Sequence, residues 1–182
     1  MPRYIEKNYQ FSGFNKDCRI MSDGKPIRPI RRDELRKFKN VVVVFGSRKN
    51  VEEEIFDACL SGFIRDWSLT PENTVFVSGM AREGADKQIV DWAKLKGWRW
   101  SEFPADWDNI DVPGARIKMN AQGKQYNALA GFMRNQDMAN VSSHGLGFWD
   151  GHSPGTKDMM ERCNDKKIKL RMIRLKDEPN GT

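Results

Sequence analysis

VVVVFGSRKN, residues 41–50, decides how the rest of this chain is read. Four β-branched valines run straight into Phe45, and an uninterrupted apolar run of this kind suits a strand covered on both faces. The chain then turns at Gly46-Ser47-Arg48. A strand with no solvent-facing residue therefore ends by delivering a hydroxyl and a guanidinium to one edge of its sheet.

Working outward, strand-like and helix-like segments alternate. Asn50-Val51-Glu52-Glu53 reads as a helix N-cap with a glutamate three residues on, the arrangement of a capping box. The helix it predicts carries Val51, Ile55, Cys59 and Phe63 at four-residue spacing and ends near Trp67. A second strand is predicted at Thr74–Ser78, a second helix from Gly84 to Lys96 and a third strand at Trp98–Phe103. The next stretch, PADWDNIDVPGARIKMNAQGKQ, lacks a clear period and reads as an irregular excursion; loops of that length in a compact domain tend to be functional or mobile. A helix from Lys124 to Asn140 and a strand near Leu146–Trp149 follow. Ser153 suits an N-cap and Pro154 the first helical position, so another helix opens there, and a strand at Ile168–Ile173 closes the core. Alternation of this kind predicts an α/β, Rossmann-like three-layer domain with a mostly parallel sheet of about five strands.

At 182 residues the chain is long enough for one domain with a real core. No apolar run reaches the roughly 18–20 residues that span a bilayer, and the N-terminus carries no signal-peptide core; the cytoplasm is the expected location, with no membrane partner. Cys18, Cys59 and Cys163 are too scattered for a disulfide framework or a zinc site and read as reduced packing thiols. The net charge of +6 lies entirely in residues 1–40, which hold 11 Lys/Arg against 5 Asp/Glu. Three regions follow: a basic N-terminal extension over 1–39, a nucleotide-binding domain over 40–176 and a tail over 177–182. Within the extension, RIMSDGKPIRPI reads as a small hairpin and RRDELRKF as a short helix. A basic arm is able to contact nucleic-acid phosphates, although a solvated basic face is the commoner meaning of such a segment.

In an open parallel sheet ligands bind beyond the carboxyl ends of the strands. Three such ends here carry unusual residues: GSRKN, then SGMAREGAD at 78–86, then WDGHSPGT at 149–156. Glycine permits close backbone approach, and helix N-termini favour phosphate. The candidate ligand-binding residues are Gly46, Ser47, Arg48, Ser78, Gly79, Met80, Ala81, Gly84, Asp86, Arg134, Asn135, Asp150, Gly151, Ser153, Gly155 and Thr156. The small residues would cradle phosphate, Arg48 and Arg134 would add bidentate contacts, and Asp86, Asn135 and Asp150 would take sugar or base. One Gly-Ser turn is usually only a turn; three converging on one sheet edge favour a site for a phosphate- and sugar-bearing ligand. Neither a GxGxxG nor a GxxxxGK[ST] string is present.

The strings VVVVFGSR, VFVSGMAREGADKQIVDWA, FPADW, GKQYNALAGFMRNQDMA and FWDGHSPGTKDMM resemble, in content and order, those of the SLOG superfamily. The resemblance is to its YspA-type (cpYpsA-related) branch and covers Asn40 to Ile173. It implies a Rossmann-like fold with a pocket for nucleotides or nucleotide-derived ligands, and an assembly of two or more subunits. The superfamily also holds DprA, which binds single-stranded DNA, and the LOG enzymes, which cleave a base from ribose 5′-phosphate. LOG enzymes carry a Gly-Gly-x-Gly-Thr-x-x-Glu string; here Gly155 and Thr156 match, but Met159 stands at the glutamate position. That argues against LOG-type catalysis, which needs a carboxylate to assist departure of the base. Residues 108–122 look inserted relative to the superfamily, as a lid or a subunit contact.

A binding module for a nucleotide-type signalling molecule, acting as sensor or sequestering protein, is thus the first expectation. Two alternatives remain open: hydrolysis of an N-glycosidic or phosphate bond, with Asp86, Asp150 or Asp158 as acid/base candidates, and single-stranded DNA binding through residues 1–39. No cofactor is certain and no metal is expected: His144 and His152 have no partners at ligand spacing. Ser47, Ser78 and Ser153 read as phosphate or hydroxyl contacts rather than nucleophiles. Trp67, Trp92, Trp98 and Trp100 read as core, and so do Met133, Met138, Met159 and Met160. Trp107 and Trp149, beside the pocket motifs, are as apt to stack a base as to pack.

Overall fold

In a computed structural model, which describes residues 28–176, five strands form one sheet: β1 (Asn40–Gly46), β2 (Thr74–Ser78), β3 (Arg99–Glu102), β6 (His144–Trp149) and β7 (Lys169–Arg174). Their order across the sheet is β3-β2-β1-β6-β7, and every pairing is parallel. Helices α1 (Glu53–Asp66) and α2 (Ala85–Lys96) follow β1 and β2, while α3 (Ala130–Val141) and α4 (Pro154–Asp165) flank β6. The three-layer, Rossmann-like reading of the sequence describes this architecture.

The valine run explains why both faces are covered. Val42 and Val44 point into one cluster with Phe56, Leu60 and Phe63 of α1 and Ile89, Val90 and Ala93 of α2. Val41, Val43 and Phe45 point the other way, against Met138 and Ala139 of α3 and Met159 and Cys163 of α4. Each of these large side chains withdrawn from water contributes roughly 1.5–3 kcal/mol before chain entropy is counted. Cys163 packs as a plain hydrophobe, and its burial pushes the thiol up to about 12. Phe56 of α1 and Phe148 of β6 stack with centroids 5.2 Å apart.

Several element boundaries differ from those predicted. Helix α1 starts at Glu53, with Glu52 at the N-cap position; Asn50 does not cap it, because its side-chain oxygen accepts the Gly84 N–H at 2.7 Å. The helix predicted from Lys124 begins only at Ala130. Residues ahead of it form a hairpin, β4 (Ile117–Met119) and β5 (Gln125–Asn127), inside the stretch read as irregular. Asn127, fully buried, stops the helix earlier: its side-chain oxygen accepts the N–H groups of Arg116 and Leu129. Ser153 and Pro154 open α4 as expected, with the Ser153 hydroxyl accepting the Thr156 N–H at 3.5 Å. Trp100 is buried and Trp92 and Trp98 pack beside Phe76, but Trp67 is 39% exposed and lies against His144 and Phe63 rather than in the core.

The hairpin predicted within residues 19–30 lies almost entirely outside the described residues. What precedes β1 is a short 3-10 helix, Arg32–Lys37, whose Leu35 joins the core on the α3–α4 side. Just before it, the Ile30 N–H donates to the Trp100 carbonyl at 2.7 Å, and the Ser101 hydroxyl donates back to the Ile30 carbonyl at 2.6 Å. Residues 30–38 are thereby tied to β3 and share the core of the sheet.

Candidate functional site

The strand order reverses between β1 and β6: the chain moves from β1 outward through β2 and β3, then returns to the other side of β1. A crevice forms beyond the carboxyl ends of strands at such a reversal. Ser47 leaves β1 there and Asp150 leaves β6, and the two meet. Ser47 donates its N–H to the Phe148 carbonyl at 2.9 Å, while its hydroxyl accepts the Asp150 N–H at 3.1 Å.

Asp150 folds the loop into α4. One carboxylate oxygen accepts the N–H groups of His152 and Ser153, both at 2.8 Å. Partial burial pushes this acid up, but the Ser153 and His152 N–H groups and the Ser47 hydroxyl outweigh it, and Asp150 sits below the usual carboxylate range. Gly151 takes φ +87°, and a Cβ there would collide with the Arg174 guanidinium. Half-buried Trp149 lies under Arg174, 5.6 Å from ring centroid to guanidinium carbon, and its indole N–H donates to the Ser153 carbonyl at 3.3 Å. His152 and Gly155 are exposed, and a Cβ on Gly155 would meet nothing within 4 Å. Thr156 is turned inward, its hydroxyl donating to Ser153 Oγ at 3.0 Å.

The other wall is built from the β1 and β2 ends. Asp86, in the first turn of α2, is 6% exposed. Burial pushes it above the usual carboxylate range, against the Arg134 charge and the N–H groups of Ala81, Gly46 and Gly79. Arg134 donates to the Gly79 carbonyl, to the Phe103 carbonyl at 3.4 Å and to the Asn135 side chain at 3.2 Å. A Cβ on Gly79 would run into Arg134 and come within 2.7 Å of Asp86 Oδ2. Ser78 is equally internal, its hydroxyl donating to the Asp86 carbonyl at 2.7 Å and accepting the Met80 N–H at 3.0 Å. Met80 holds a left-handed φ of +59° and is 37% exposed; strained non-glycine residues of this kind cluster at functional sites. Gly84, at φ +77°, lies flush against the Ser47 carbonyl, while Arg48 is exposed.

Two residues absent from the sequence-predicted set, Asn50 and Gln88, stitch these loops together. Gln88 accepts the Val51 N–H at 3.0 Å and donates to the Val51 carbonyl at 2.7 Å, beside the Asn50–Gly84 bond. No local signal announces contacts across more than thirty residues. Asn135, which is buried, ties α3 to α4, donating to the Gly155 carbonyl at 3.2 Å and to Asp158 at 2.9 Å. Asp158 is thus one helical turn from the crevice, paired to Arg162 at 2.8 Å. Trp107 is 45% exposed and lies over Gly131 of α3. Among the described residues no group of His, Cys, Asp or Glu is arranged to hold a metal ion, and no helix is long and apolar enough to cross a membrane.

Fold and crevice together define an α/β protein of the Rossmann-like class. A solved structure with the same fold is DNA processing protein A (DprA) from Streptococcus pneumoniae, matched at a TM-score of 0.57 and 19% identity over 80% of this chain. At that identity the likeness is one of fold. The match covers 54% of the DprA chain, so this chain spans about half the length of that protein. No protein-family model and no curated protein sequence matches the chain.

Proposed function

We propose that the chain is a SLOG-type module, of the YspA-like kind, that binds a nucleotide or nucleotide-derived ligand at the β1/β6 crevice as a sensor or sequestering protein. The observation that carries this reading is the meeting of Ser47 and Asp150 at the strand-order reversal, beside the capped N-terminus of α4. Phosphate lies against the Gly155 N–H at the first turn of α4, where the helix dipole favours an anion, and Arg48 closes over it. Met80, Gly151 and Ser153 line the approach. Asp86 and Arg134 work from behind, holding the Gly46, Gly79 and Ala81 backbone in place rather than touching the ligand. Hydrolysis is the weaker reading, because Met159 fills the position of the LOG glutamate and is buried, and Asp86 is spent on main-chain N–H groups.

The test is calorimetric titration of the purified chain with a nucleotide panel, together with mass spectrometry of whatever small molecule denaturation releases. Stoichiometric binding of an intact nucleotide, weakened about tenfold by Arg48→Ala, is expected. Release of free base would replace the binding module with a hydrolase. DNA binding is the second reading, favoured by the fold shared with DprA. It requires oligonucleotide affinity that falls steeply with salt and is lost when the Lys and Arg residues of 1–39 are replaced by Gln; affinity for nucleotides alone rejects it.

A further inference from the structure

A groove of about 510 Å³ runs between α3 and α4, lined by Leu129, Phe132, Met133, Gln136, Asp158 and Arg162. Its volume is that of small-molecule sites, which pair an apolar wall with a few fixed polar groups. Leu129, Phe132, Met133 and Gln136 recur at helical spacing on one face of α3, and none of the four is fully buried. Met133, read from sequence as core, is in fact part of this open wall.

The polar side is rigidly organised. Arg162 donates through Nε to Asp158 Oδ2 at 2.8 Å and through one terminal nitrogen to Gln136. Gln136 in turn donates to Asn140 at 3.0 Å, and Asn135 donates to the same Asp158 oxygen at 2.9 Å. The guanidinium is thus held flat by two partners, and among the described residues neither its second terminal nitrogen nor Asp158 Oδ1 has one. A groove lined by both a flat cation and an aromatic ring favours a stacked planar group, and a donor next to an acceptor matches the edge of a nitrogen heterocycle.

We propose that this groove is the seat of a nucleobase, resting on the nucleotide reading above. Phe132, Met133 and the Arg162 guanidinium provide the stacking surface, and Asp158 Oδ1 with the free Arg162 nitrogen reads the base edge. The link to the crevice is Asn135, which holds both the Gly155 carbonyl of the phosphate seat and the Asp158 carboxylate of the base seat. The ligand therefore lies along α4, from its first turn toward Arg162, rather than against Trp149.

The test follows the Met133 methyl signal by NMR in the full chain while AMP, adenosine and ribose 5-phosphate are added separately, in wild type, Phe132→Ala and Arg162→Gln. AMP and adenosine should move the Met133 methyl and ribose 5-phosphate should leave it in place. Both variants should weaken AMP about tenfold, the scale of one lost stacking partner, and leave ribose 5-phosphate within about twofold. Amide signals of the sheet report that the variants fold; a variant that does not is replaced by Phe132→Leu, for which a smaller loss is expected. AMP binding that leaves Met133 unmoved and is unchanged in the variants overturns the base seat while keeping the nucleotide reading. Adenosine that moves Met133 while neither phosphate compound binds the crevice keeps the base seat and overturns the phosphate site. No response to any of the three overturns both.

Discussion

The two walls of the crevice are built on opposite plans. On the β1–β2 side, polar side chains are engaged by the backbone: buried Asp86 collects three main-chain N–H groups, Arg134 holds carbonyls of two strand ends, and buried Ser78, half-buried Gln88 and exposed Asn50 bind backbone. On the β6–α4 side, a single carboxylate shapes a short loop and leaves His152, Gly155 and the rim of α4 facing water. Burial makes the first wall rigid, and exposure makes the second available. The same residue types, Asp, Ser and Gly, are structural on one side and suited to contact on the other because their surroundings differ.

Removing the centre of the rigid wall should have the largest effect. Asp86→Ala leaves the buried N–H groups of Gly46, Gly79 and Ala81 without their acceptor, and unfolding by urea should show a loss of about 2–4 kcal/mol; equal stability of variant and wild type would contradict the hub. Gly84→Ala comes next. Its left-handed φ and its seat against the Ser47 carbonyl make a loss of about 1–3 kcal/mol the expected outcome in the same assay.

The two aspartates should also differ in the sign of their pH dependence. Asp86 has a raised pKa in the folded state, so its contribution falls as pH climbs from its ordinary value of 3.8. Asp150 has a lowered one, so its contribution is present above 3.8 and disappears as pH drops through the folded value. Stability of Asp86→Asn and Asp150→Asn relative to wild type, measured from pH 3 to pH 7, should give slopes of opposite sign; slopes of one sign would dissolve the contrast. Gly155→Ala should have the smallest effect. With open space at its Cβ, a helical alanine raises stability by roughly 0.5–1 kcal/mol, and weaker nucleotide binding in that stabilised variant would mark Gly155 as a point of close approach.

The sheet was legible because its signals are local. Val41–Phe45 announces a doubly covered strand within five residues, and Ser153-Pro154 announces a helix start within two. The misread places depend on distant partners. Asn50 has every local property of a cap, yet the Gly84 amide, brought close only by the parallel pairing of β1 and β2, takes its side chain. Asn127 delays α3 for a similar reason, and β4–β5 hides because each strand is only three residues long, β4 is wholly exposed and the one buried residue of β5 is the polar Asn127, so no apolar alternation is left to detect. Convergence of the Gly-Ser loops on one edge could be read from topology. Which of their polar groups face inward could not, since burial belongs to the folded chain.

The sheet also ends differently on its two sides. At β3, Ile30 contributes one main-chain bond and accepts another from Ser101, a strap that occupies part of the open ladder. At β7, the outer strand among the described residues, Lys169 and Arg174 are exposed and Arg171 is paired with Asp66 at 2.8 Å, and charged side chains on an edge strand discourage pairing with a second one. Neither border offers a clean template for further pairing. A Rossmann-like sheet with two outer strands is at risk of edge-to-edge aggregation, and this chain carries a tether at one border and charged side chains at the other.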